Sequence, residues 1–230
     1  MKIGNLIRKR FSVSFVAMMF AALCVTLVGS EAWGATDAEL LRDYLSDYGL
    51  NVTASGSTVT VTGLGTFDSV YGNILIDSPS FNSGVTVLWN TDIIGHYGSG
   101  SVIKLDGSGS FITAKNIGTS WSVTVIEATG GAHIVLNDGA TVSSQAGSPP
   151  LIILNQNAVE QSTILSMYSG SSVLATPDLS ATAIEGQFGT VIEYYGGAII
   201  NGRINGHSII QDANGTMSSH VDNGIVYDLT

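Results

Sequence analysis

The side chains suited to acid–base or metal chemistry are few and scattered. The histidines are His96, His133, His207 and His220. None has another histidine four residues on, the spacing that puts two imidazoles on one helix face, so no zinc site is expected. The single cysteine, Cys24, lies in an apolar leader, which leaves no candidate for a thiolate metal site or a cysteine nucleophile. Asp106-Gly107-Ser108-Gly109-Ser110-Phe111 has the acid-and-glycine make-up of a calcium-binding turn. One copy without the Gly-Gly-x-Gly-x-Asp frame predicts a plain Gly-Ser turn instead. Gly130-Gly131 and Gly196-Gly197 lack the following helix and the Lys-Ser/Thr of a phosphate loop. Trp89, Trp121, Tyr194 and Tyr195 have rings that could stack on sugars, with core packing as the competing role. Asn51-Val52-Thr53 and Asn214-Gly215-Thr216 match glycosylation sequons, which matter in a eukaryotic secretory path. The sequence thus assigns no catalytic, cofactor-binding or metal-ligating residue.

Charge narrows the partners. The 230 residues hold 18 acidic and 8 basic side chains, a net charge of −10, and only 11% are charged at all. Beyond residue 34 only Arg42, Lys104, Lys115 and Arg203 are basic, against 17 acids, which gives −13. Nucleic acid and anionic lipid are therefore not expected partners, because both are held by Lys and Arg. The acids are spaced singly, as solvated charge is.

The N-terminus reads as an export signal. Lys2, Arg8, Lys9 and Arg10 precede the apolar run Phe11–Ser30, and small residues follow at Ala32, Gly34 and Ala35. Cleavage is expected after Ala32 or Gly34. A membrane anchor is the competing reading, and lipidation at Cys24 is disfavoured by the bulky Leu23 before it. The expected organisation is a secretory signal over 1–34, a capping helix over 35–50 and a β-helix repeat domain over 51–230.

The elements that would position any site follow from periodicity. Leu40, Leu41, Tyr44, Leu45 and Tyr48 make one helical face, with Thr36 and Glu39 as a capping box and Gly49 as the stop. After it come short β-branched runs, such as Thr58–Gly63, Asn73–Ile76, Val85–Trp89, Val102–Leu105, Val123–Ile126, His133–Leu136, Leu151–Leu154 and Thr190–Glu193, separated by Gly, Ser, Asn and Asp. Val125-Ile126-Glu127-x-x-Gly130-Gly131-Ala132 recurs as Val191-Ile192-Glu193-x-x-Gly196-Gly197-Ala198, an offset of 66 that divides into units of 22. Val102-Ile103-Lys104-Leu105 is a looser copy at 23. Such a period predicts a solenoid whose coils stack and share a core. Val123 and Val125 are expected inside with Thr124 outside, and Val191 takes the place of Val125. An antiparallel β-sandwich is the alternative.

Gly131-Ala132-His133-Ile134-Val135-Leu136, Gly139-Ala140-Thr141-Val142 and the helix followed by Thr58–Gly63 resemble the right-handed parallel β-helix of pectate-lyase-like proteins, above all autotransporter adhesin passengers. The resemblance covers roughly residues 37–212. It implies a secreted or cell-surface, non-enzymatic β-helix used for adhesion, with a host or cell-surface protein or a glycan as partner. The alternative is a carbohydrate-active β-helix enzyme, a polysaccharide lyase or hydrolase. Asn90-Thr91-Asp92 and Gly95-His96 are similar to polygalacturonase motifs, but the family sets these on separate coils and adds an Asp-Asp pair and Arg-Ile-Lys. Here Asp-Asp is missing, and Arg203-Ile204-Asn205 lacks the lysine. Passengers of this type continue into a membrane barrel, whereas this chain stops at Tyr227-Asp228-Leu229-Thr230. Free secretion, a truncated passenger or export by a partner are the expectations that fit.

Overall fold

The computed structural model describes residues 36–63, 70–71, 73–77, 79–97, 100–146, 149–156, 161–175, 181–187, 189–195, 198–206, 209–212 and 217–219. The expected signal, Cys24, His207, His220, Gly196-Gly197, the sequon at Asn214 and the C-terminal Tyr227–Thr230 lie outside them.

The helix α1 covers residues 36–47. It stops as the glycine predicts. Gly49 has φ 84°, its N–H donates to Ser46 O (2.8 Å), and Leu50 N–H donates to Leu45 O (3.3 Å), which together form a Schellman cap. The buried stripe is Ala38, Leu41 and Leu45, with Tyr44 and Tyr48 packed at its side. Leu40 does not belong to it and is 54% exposed. It sits one residue, roughly 100°, off the 38/41/45 line.

Strands then come in threes. The antiparallel β1 (Asn51–Ser55) precedes β2 (Thr58–Gly63), β3 (Val70–Tyr71) and β4 (Ile74–Asp77). The next coil is β5 (Thr86–Trp89), β6 (Ile93–Tyr97) and β7 (Ser101–Asp106), followed by β8 (Ser110–Thr113), β9 (Asn116–Thr119) and β10 (Thr124–Thr129). Then come β11 (His133–Leu136), β12 (Thr141–Ser144) and β13 (Ile152–Leu154), and β14 (Ile164–Met167), β15 (Ser172–Ala175) and β16 (Thr182–Gly186). The last triplet is β17 (Val191–Tyr194), β18 (Ile199–Asn201) and β19 (Arg203–Gly206), and β20 (Ile209–Asp212) and β21 (Met217–Ser219) follow it.

Each member of a triplet joins a different sheet. The first sheet runs β1-β2-β5-β8-β11-β14-β17-β20-β21, the second β3-β6-β9-β12-β15-β18 and the third β4-β7-β10-β13-β16-β19. Every pair is parallel except β1/β2 and β20/β21 at the two ends of the first sheet. The chain is therefore a β-solenoid, and the β-sandwich alternative, which needs antiparallel sheets, does not hold. α1 is the only helix among the described residues.

The repeat is looser than 22. Successive coils of the first sheet start at Thr58, Thr86, Ser110, His133, Ile164, Val191 and Ile209, offsets of 28, 24, 23, 31, 27 and 18. The Val-Ile-Glu match does not stack: its first copy lies in β10 of the third sheet and its second in β17 of the first. Similar local chemistry at two different corners produced the likeness. The looser copy is the true register neighbour, with Ile103 beside Ile126 and Lys104 beside Glu127.

Two facing assignments change with it. Thr124 is buried, because Val125 N–H and Ile126 N–H both donate to Leu151 O (2.9 and 3.0 Å), and this bulge breaks the alternation. Val191 is only half-buried, and Ile192 points into the core. Ile192→Asp should therefore destabilise the fold by several kcal/mol, against under ~1 kcal/mol for Val191→Asp, read by urea unfolding. Leu45→Ala is expected to lower stability by about 2–5 kcal/mol, while Leu40→Ala should leave the unfolding midpoint within error of the parent.

Candidate functional site

Parallel stacking brings together outward residues that are far apart in sequence. On the first sheet, Ser166 of β14 is the register neighbour of Glu193 on β17, while His133 of β11 lies beside Ile164 and reaches diagonally to Ser166. His133 Nε2 is 2.7 Å from Ser166 Oγ, and Ser166 Oγ donates to Glu193 Oε2 at 2.5 Å. The serine proton is committed to the carboxylate, so the imidazole donates its Nε2–H to the hydroxyl oxygen. Burial lowers the His133 pKa, and the Glu193 carboxylate opposes that shift.

These are the residue types of a hydrolytic triad in the wrong order. In that triad the imidazole sits between serine and acid and accepts the serine proton. Here serine sits in the middle, donates to the acid and has no exposed surface. Its oxygen cannot meet a substrate carbonyl. The arrangement can strap three coils together and can respond to pH, but it cannot act as a nucleophile.

Beside it, Tyr168 and Tyr195 stack one coil apart, ring centroids 4.4 Å and planes 4° from parallel. Burial pushes the Tyr195 phenol up, helped by Glu193 and Tyr168. The other aromatic candidates divide. Trp89 is buried against Phe111, its indole N–H donating to Thr91 O (2.7 Å), and Tyr194 is buried with its hydroxyl donating to Ala198 O. Trp121 is 48% exposed, at the carboxyl end of β9.

A second group lies on the outside of the third sheet. Asp77 and Asp106 are register neighbours on adjacent coils, and Lys104 Nζ is 3.6 Å from Glu127 Oε1. Adjacent carboxylates on neighbouring coils are what a carbohydrate-active alternative needs. Among the described residues, no three His, Cys, Asp or Glu side chains converge as a metal site would require.

The polygalacturonase-like stretch has a structural part to play. Asp92 Oδ1 accepts Asn116 N–H from the next coil (2.8 Å), and the His96 side chain lies outside the described residues. Asn205 Nδ2 donates to Thr182 Oγ1 at 2.8 Å. The Asp106–Phe111 turn owes its glycines to packing: a Cβ on Gly107 would sit 2.0 Å from Phe81 O, and one on Gly109 2.5 Å from the Phe81 ring. The His133–Ser166–Glu193 link was not readable from sequence, because its members are 33 and 27 residues apart and the coil lengths between them are unequal.

No protein-family model, curated protein or solved structure matches the chain. Among the described residues no helix is long and apolar enough to cross a membrane. The geometry defines a class: a parallel β-solenoid, with some outer polar groups linked from coil to coil, as His133, Ser166 and Glu193 are.

The lowered His133 pKa has a signed consequence. The folded state disfavours the imidazolium, so its contribution to stability is fully present above the ordinary value of 6.5 and is lost as pH falls below it. Thermal midpoints should drop between about pH 7 and 5. His133→Gln, which retains a donor without titrating, should flatten that fall.

Proposed function

We propose that the chain is exported and serves, secreted or at the cell surface, as a non-enzymatic β-helix scaffold for adhesion or interaction, similar in role to autotransporter passengers. The observation that carries this reading is the state of the outer polar groups. Ser166 has no exposed surface and is bonded on both sides, and Lys104 is paired with Glu127. Groups held in this way stiffen that part of the surface and are engaged with one another, not poised as nucleophile or base. The charged, apolar, small-residue order of residues 1–35 supports export. The net charge of −10 favours a protein or a glycan over nucleic acid or anionic membrane as partner. One feature favours the second reading, a polysaccharide lyase or hydrolase: the Asp77–Asp106 pair.

The exported protein, once purified, tests both readings. N-terminal sequencing should begin at Trp33 or Ala35. Binding to cultured cells and to glycan and protein arrays should be saturable, and new reducing ends or unsaturated sugars should not appear with any polysaccharide. Steady product release that disappears in Asp106→Asn would overturn the scaffold reading in favour of the enzyme.

A further inference from the structure

Charge is unevenly spread over the three outer faces. The strands of the third sheet carry Asp77, Lys104, Asp106, Glu127, Glu185 and Arg203. Those of the first carry Glu193 and Asp212, with His133. The strands of the second sheet contain no Asp, Glu, Lys or Arg. Outward positions on its last five strands include Ile94, Thr141, Ser143, Ser172, Leu174 and Ile199. Ile94 and Ile199, at opposite ends of the row, are 48% and 52% exposed, and Ser172 Oγ donates to Thr141 Oγ1 (3.1 Å). Among the described side chains of this face none is charged; His96, the next outward position after Ile94 on β6, lies outside them.

A chain with net charge −10 repels its own copies wherever carboxylates would meet. Contact between copies is favoured where that penalty is absent, and protein interfaces are depleted of charge at their centres. We propose that the outer face of the second sheet is a self-association surface that receives a second copy of this chain, face to face. A two-fold axis in the plane of the face lays β12 on β12, the middle of the row β6, β9, β12, β15, β18. Uncharged side chains then meet uncharged side chains on both copies. Asp92, Lys115 and Asp138 stand in the turns at the rim, where water and salt screen them. Five strands at ~4.8 Å spacing, each ~13 Å long, cover a few hundred Å² per copy. That is less than the roughly 600 Å² per copy at which stable interfaces begin, so the contact is weak and takes effect where copies are crowded.

Sedimentation velocity on the exported full chain at rising concentration reads this directly. The weight-average mass should rise from monomer toward dimer. Added salt should leave the association unchanged or strengthen it, because the face holds no ion pair and salt screens the overall repulsion. Ser143→Asp and Leu174→Lys place opposite charges on the same face, and each should weaken association about tenfold or more. Glu127→Gln, on the third sheet, should not. Circular dichroism and thermal midpoints report whether each variant folds. Hydrogen exchange on the unmodified chain supplies a reading free of substitutions, with amides of β9, β12 and β15 slowing as concentration rises. A chain that stays monomeric, variants that associate like the parent, or slowing confined to other sheets would each overturn the proposal. So would binding to a neutral polysaccharide resin without self-association, which would assign the face to a glycan.

Discussion

Everything in this molecule depends on coils stacking in parallel register, so that one inward position repeats above itself. In the third sheet that position is isoleucine at every level: Ile74, Ile103, Ile126, Ile152, Ile184 and Ile204. In the first it is Val59, Val87, Phe111, Ile134, Leu165 and Ile192, all without exposed surface. Each such side chain adds about 1.5–3 kcal/mol by burial, and the ladder bonds on either side of it fix which residue points in. The second sheet closes the core with Ile93, Ile117, Val142, Val173 and Ile200. Because inward rows must align while turns need not, coil lengths are free to vary between 18 and 31 residues. The loop after β4 uses this freedom. It folds Phe81 under the next coil, and Gly107 and Gly109 are glycine because that ring and its carbonyl occupy the space.

A stack of this kind must also be ended. The first sheet finishes at each end on an antiparallel strand, which breaks the parallel template that another coil would extend. At the N-terminal end α1 contributes Ala38, Leu41 and Leu45 to the same core as Val59 and Val61. Its Asp37 accepts a hydrogen bond from Asn82, in the loop after β4, so the helix is tied to the first coil. That is the place where a parallel stack would otherwise show its apolar interior to water.

How much of this was legible follows from the same physics. Strand language, a single helix and a repeat were readable because inward positions demand Val, Ile and Leu, and turns demand Gly, Asn and Ser. The Gly49 stop was readable because a Schellman cap needs positive φ. Register was not, because side chains specify facing within a strand but not the length of the turn that follows. The strongest written repeat, Val-Ile-Glu-x-x-Gly-Gly-Ala, therefore joined strands of two different sheets, and the weaker Val102–Leu105 copy was the real neighbour. Leu40 was misassigned because two adjacent leucines cannot both face one line of a helix, and only packing chooses between them. The His133–Ser166–Glu193 link lies wholly on the unreadable side, since it exists only once the 31- and 27-residue coils are closed.

The outside of the solenoid is under a different constraint from the inside, and this separates scaffold from function. Inward positions are interchangeable among apolar side chains of similar volume, so they specify the fold and little else. Outward positions are free to vary, and here they vary by face. The third sheet carries charge of both signs, with Lys104 balanced by Glu127 and Asp77 beside Asp106. The first carries the histidine–serine–glutamate strap, buried at its central serine. The second carries hydroxyls and exposed isoleucines without a charge. Keeping the acids off one face lowers its desolvation penalty while the other two keep the protein soluble. One stack of coils thus presents a charged face, a rigid hydrogen-bonded face and a neutral face in fixed relation, each set by which residue of a strand triplet is allowed to point outward.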